Sequence, residues 1–202
     1  MSPWKDGFLF VGNQLALDFV NTRPVIDGKP VELLTDLDAV LRWNVAAGLL
    51  SLQHANGLRR KWGNSAAGQA AVHSLQAWRE ELRSALVTWE AGREVPKSAV
   101  KRLNRLLADY PVLNRLTLHG RKLASESWFQ PQVPEGLIAP VARSAATLFT
   151  TADRNRVRIC GNCVLHFIDT SKKGTRRWCS MELCGNRLKV AAYTARRRKA
   201  TS

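Results

Sequence analysis

Ile159-Cys160-Gly161-Asn162-Cys163, then fifteen residues to Trp178-Cys179, then four more to Cys184-Gly185-Asn186-Arg187, is the stretch that holds all 4 cysteines of the 202-residue chain. Two close cysteine pairs separated by a hairpin-sized loop suit a tetrahedral ion, because each tight turn supplies two sulfurs and the loop lets the turns face each other. Three fates compete for such cysteines. Disulfides are disfavoured, since Met1 to Asn21 shows no basic segment leading into an apolar one, and without a secretory signal a reducing, cytoplasmic setting is expected. An iron centre also uses four thiolates. Zinc is the commoner occupant at this spacing, so one structural Zn2+ is expected on Cys160, Cys163, Cys179 and Cys184. Four protein ligands leave no open position for water, so the ion should build structure and not perform chemistry. His166 is a nearby alternative ligand, but it reads more simply as a strand residue.

Between the pairs, Val164 to Asp169 is an apolar, β-prone run, Thr170 to Gly174 a polar turn, and Thr175 to Trp178 a second short run. That pattern predicts a hairpin. Beyond Cys184, Leu188, Ala192 and Ala195 recur at helical spacing, which predicts a helix starting at the second pair. Knuckle, hairpin and helix together make a treble-clef-like finger.

The string Arg176-Arg177-Trp178-Cys179-Ser180-Met181, leading into Cys184-Gly185-Asn186-Arg187 and a basic tail, resembles the CGNR zinc finger family. At the other end, Leu15-Ala16-Leu17-Asp18-Phe19-Val20-Asn21-Thr22 resembles the signature of the ABATE domain, which precedes this finger in bacterial proteins. The resemblance implies a stress-induced transcription regulator.

Residues 1–153 read as a mainly helical body and residues 154–202 as the finger with its basic C-terminal helix. The fold class is therefore mainly α with small β-hairpins, an α+β chain. Phe8 to Val11 suggests a short strand, and Leu15 to Thr22 leans towards helix. Asp18, Asn21 and Thr22 form a polar set beside Leu17 and Phe19, either an effector-contacting or interdomain cluster or a group that caps and satisfies backbone. Thr35 is placed as an N-cap ahead of Leu37, Val40 and Leu41, with Gly48 as the stop. The longest helix runs from Ala66 to Ala91, its apolar stripe comprising Ala71, Leu75, Trp78, Leu82, Ala85 and Trp89. A helix from Ser98 to Asp109, a hairpin of 114–119 with 121–129, and a helix over 137–152 complete the body. Nothing in it assembles an active site: His54, His73 and His119 are scattered, and no phosphate-cradling loop or nucleophile motif occurs. The chain is read as no enzyme, and it has no apolar run long enough to cross a membrane.

Charge is distributed unevenly. Residues 154–202 carry thirteen Lys or Arg against Asp169 and Glu182, an excess of eleven of the chain's +15. The candidate nucleic-acid contacts are Lys172, Lys173, Arg176 and Arg177 at the hairpin tip, and Arg187, Lys189, Thr194, Arg196, Arg197, Arg198 and Lys199 along the final helix. Duplex DNA is the expected partner, and the body is expected to bind a small effector, a protein partner or a second copy of the chain as a homodimer. An RNA-binding or ribosome-associated module and a protein interaction adaptor with a solubilising basic face are the alternatives.

Overall fold

The computed structural model describes residues 3–26 and 28–185. The chain begins with a minimal hairpin, β1 (Trp4–Lys5) with β2 (Phe8–Leu9), and then enters a short helix, α1 (Leu15–Val20), as its apolar run suggested. Ala16, Leu17, Phe19 and Val20 are all buried, because α1 lies at the centre of the body, packed against the later helices α4 and α6. After α1, Val25–Ile26 (β3) and Lys29–Pro30 (β4) pair across the Gly28 turn.

α2 (Leu37–Ala46) is capped by Asp36, whose carboxylate accepts the Ala39 N–H at 2.8 Å, one residue later than the cap expected at Thr35. Gly48 follows it in the left-handed region at φ +75°, the conformation a helix stop uses. α3 (Leu52–Trp62) was not anticipated. It buries only Ala55, Leu58 and Trp62, a stripe too thin to stand out among its polar residues. α4 (Ala66–Glu90) presents the expected stripe inward, and Phe19 of α1 sits with its ring centroid 5.5 Å from Trp78 of α4 and 5.6 Å from Trp43 of α2. α5 (Lys97–Asp109), the hairpin of β5 (Leu113–His119) with β6 (Lys122–Trp128), a one-turn lead-in at Pro134–Ile138 and α6 (Ala139–Thr151) finish the body.

The finger's hairpin differs from expectation. β7 (Val157–Ile159) pairs antiparallel with β8 (His166–Ile168), so the first cysteine pair forms the tip of this hairpin, and residues 175–178 carry no strand. The reason is local: Cys160 N–H donates to Leu165 O at 2.8 Å and Val164 N–H to Cys160 O at 3.2 Å, closing a knuckle that turns the chain back within six residues. The 170–174 segment instead wraps around the Asp169 carboxylate. At the second pair, Met181–Gly185 forms one wide helical turn, with Leu183 N–H donating to Ser180 Oγ at 3.0 Å. The final helix expected beyond it, with Arg187, Lys189, Thr194 and Arg196 to Lys199, lies outside the described residues.

Candidate metal centre

The knuckle tip and the Met181–Gly185 turn face each other and bring four sulfurs together. Those of Cys160, Cys163, Cys179 and Cys184 all lie within 4.8 Å of one another, with Cys163 to Cys179 at 3.5 Å and Cys179 to Cys184 at 3.7 Å. A tetrahedron with metal–sulfur bonds of about 2.3 Å has edges of about 3.8 Å, so the cluster has the dimensions of a closed tetrathiolate site. Three of the four cysteines are buried. The donor set itself calls for a dication. Hydrogen bonds from Cys163 and then Cys179 draw the Cys160 thiol far below its ordinary range. Cys163 is pushed up to about 12, chiefly by Cys160, and Cys179 goes higher still for the same first reason. Four thiolates can coexist at these distances only around a compensating cation, and zinc suits soft sulfur in a tetrahedron.

The surrounding polar groups hold the turns. Asn162 Nδ2 donates to Cys184 Sγ at 3.4 Å, linking the two cysteine pairs directly. Asp169 is fully buried, and its carboxylate accepts the N–H of Ser171 at 2.8 Å and of Arg176 at 2.7 Å. Burial alone would raise its pKa, but the Ser171 hydroxyl, the two N–H groups and the Arg176 charge together bring it down to about 2. Arg176 donates to Trp178 O at 2.9 Å and Cys179 O at 2.5 Å, and its guanidinium lies 4.4 Å from the Phe167 ring centroid. Phe167 and Trp178 pack in a small core with the cysteines.

The candidate nucleic-acid residues separate accordingly. Arg176 is engaged with the finger's own backbone, whereas Lys172, Lys173 and Arg177 are exposed. Arg177 and Arg158 border a crevice of about 480 Å³ with Gly161, Gly174 and Thr175. The polar set of α1 meets the finger. Asn21 makes a two-way pair with the backbone of His166 in β8, its Nδ2 donating to His166 O at 2.8 Å and its Oδ1 accepting His166 N–H at 2.9 Å. Asp18 accepts the Gly12 N–H at 2.7 Å, and Gly12 O accepts the Ile168 N–H at 2.9 Å. Burial pushes the Asp18 carboxyl up to about 7 against the opposing effects of the Gly12 and Val11 N–H groups and Lys5. Thr22 faces the body, donating to Phe19 O at 2.7 Å and accepting from the buried Arg79 at 3.0 Å. Residues not singled out from sequence complete the contact: Asn13 Nδ2 donates to Ile168 O at 2.9 Å, and Glu90 Oε1 lies 2.9 Å from Nδ1 of the buried His166. Only the short polar side chains beside an apolar run hinted at this; the partner of Asn21 is 145 residues away.

No curated protein matches the chain. The CGNR zinc finger family model matches residues 156–197, and the ABATE family model, described as "putative stress-induced transcription regulator", matches residues 13–152. Neither is an enzyme family. Since the ABATE match spans well over half of the 202 residues and the finger match follows it directly, the chain belongs to the ABATE family and carries a CGNR zinc finger.

Proposed function

We propose that this protein is a zinc-dependent DNA-binding transcription regulator of the cytoplasm, in which the finger contacts duplex DNA and the helical body receives an effector or partner. One observation carries the reading. Lys172, Lys173 and Arg177 stand exposed in the stretch between the two cysteine pairs, while their neighbour Arg176 is bound to the finger's own backbone, in a segment with eleven excess positive charges. Exposed Lys and Arg on a rigid turn replace counterions on phosphates, and this electrostatic contribution supplies most of the affinity of a DNA-binding module. Sequence choice needs base-edge contacts, for which Arg187, Lys189, Thr194 and Arg197 are the candidates, an Arg reading guanine in a major groove.

The test is a fluorescence-anisotropy titration of the zinc-loaded protein with mixed-sequence duplex DNA at about 0.1 M salt, with structured RNA as competitor. Binding to duplex at micromolar concentrations or tighter, weakened in Lys172→Ala/Lys173→Ala/Arg177→Ala and poorly competed by RNA, supports the proposal. Preferential displacement by RNA would move the function to an RNA-bound module, and no binding to either would leave an interaction adaptor.

A further inference from the structure

We infer that the zinc module is completed by the helical body, so that Leu9, Val11 and Asn21, residues far from the cysteines in sequence, help to hold the metal. The segment Phe8-Leu9-Phe10-Val11 alternates between two cores. Phe8 is buried in the core of the body and Phe10 packs against it, while Leu9 and Val11 are buried with Cys160, Cys179, Cys184, Leu165 and Phe167. Extended chain points successive side chains to opposite sides, and here the two sides are two different cores. Among the described residues, the finger's own part of this core is its cysteines with Leu165, Phe167, Trp178 and Leu183, so the two from the body matter to its packing.

Polar contacts fix the same junction. Gly12 receives β8 on its carbonyl and the Asp18 carboxylate on its N–H, and a Cβ there would lie 2.7 Å from the Leu17 Cβ, so only glycine permits this approach. One turn further along, the Asn21 amide gives the outer edge of β8 both a donor and an acceptor, as a neighbouring strand would. Glu90, the last residue of α4, meets the His166 ring through its carboxylate. β8 is therefore held by β7 on one edge and by α1 on the other. It leads out of the knuckle at Cys163 and into the Asp169 turn that positions Cys179. The signature stretch of the ABATE domain thus serves as the dock for the finger of its own chain. Zinc release and undocking then form one event, through which a change in the body reaches the basic face.

The proposal is tested on the zinc-loaded, full-length protein by mixing it with excess 4-(2-pyridylazo)resorcinol and following formation of the coloured zinc–chelator complex. Asn21→Ala and Val11→Ala should release zinc about tenfold faster than the parent, within the range by which groups supporting metal ligands tune affinity. Asn21→Asp, which keeps an acceptor for the His166 N–H but turns a buried carboxylate oxygen onto its carbonyl, should release zinc at least as fast as Asn21→Ala. Leu116→Ser, on the exposed β5 strand, should release at the parental rate. In a parallel thermal melt read by far-ultraviolet circular dichroism, removing zinc should lower the midpoint of the helical signal by about 5 °C or more. Parental release rates in both Asn21→Ala and Val11→Ala would overturn the inference. A helical midpoint unmoved by zinc removal would do so equally.

Discussion

Val164 sits in the knuckle at φ +56°, a left-handed conformation that a β-branched side chain adopts only under constraint. Its side chain is 47% exposed, so little burial compensates the strain. Val164→Gly should therefore raise the zinc-bound protein's stability by about 1 kcal/mol, seen as a higher melting midpoint with zinc content unchanged. Asp18 gives a second residue-level expectation, with a definite sign. Its folded pKa of about 7 lies above the ordinary 3.8, so the folded state holds the proton more tightly. The associated stability is fully present below about pH 4, declines as pH rises towards 7 and is lost above it, by at most about 1.4 kcal/mol per pH unit. Asp18→Asn keeps an acceptor for Gly12 and abolishes the titration. The stability of the variant relative to the parent should thus increase between pH 5 and pH 8 in denaturant titrations; a difference independent of pH would rule out the buried acid. Arg176 and Arg177 adjoin in sequence but should behave oppositely. Arg176→Ala removes two hydrogen bonds to buried turns and should destabilise the finger and loosen its zinc, whereas Arg177→Ala should leave zinc retention intact and weaken DNA binding.

Among the elements, those built on strong periodicity were legible from sequence: α4, α5, α6 and the β5–β6 hairpin lie within a residue or two of expectation. α3 was missed because its interior holds Gly57, Asn56 and a run of basic residues, and burial of Trp62 is a tertiary outcome that a weak local pattern does not announce. The finger shows both sides of the same limit. Cysteine spacing was enough to find the four ligands, because ligation needs only that two tight turns can face each other. It was not enough to place the strands: β8 could pair with a segment on either side of it in sequence, and the knuckle hydrogen bonds decide for β7. Nor could spacing reveal that Asn21 and Asn13 hold β8, since side chain to backbone pairing across the fold leaves no periodic trace. The ligands themselves yield a direct expectation. Cys179→Ser should abolish stoichiometric zinc by metal analysis and lower the helical melting midpoint as chelation does, because the finger's core and the junction with α1 depend on the same turns.

At the scale of the whole molecule, the decisive property is the separation of charge from the core. The body carries only four of the fifteen excess positive charges, and several of its arginines are internally paired: Arg79 with Glu32 and Glu80, Arg83 with Glu80, and Arg42 and Arg59 with Asp38. The finger has just two acids. Asp169 is buried and satisfied by backbone N–H groups, which leaves the lysines and arginines around it with little local neutralisation. If the finger is the DNA-binding part, as proposed, an approaching polyanion would meet Lys172, Lys173 and Arg177 on a module that the four cysteines close and Asn21 joins to the body. With roughly 5 to 8 phosphate contacts from Lys172, Lys173, Arg177 and the basic residues beyond Gly185, log affinity for duplex DNA should fall against log salt with a slope of about −4 to −7. Replacing Lys172, Lys173 and Arg177 together by Ala should flatten that slope by about 2 to 3, because each lost phosphate contact removes about 0.9. Zinc content and the helical melting midpoint should stay at parental values, since the one contact any of the three makes to the knuckle, from Arg177 O to the Gly161 N–H, is through backbone that Ala retains. The same triple change made through Arg176 in place of Arg177 should disturb both. A slope unchanged by the first triple variant would show that the 172–177 stretch faces solvent in the complex and that DNA is held elsewhere on the chain.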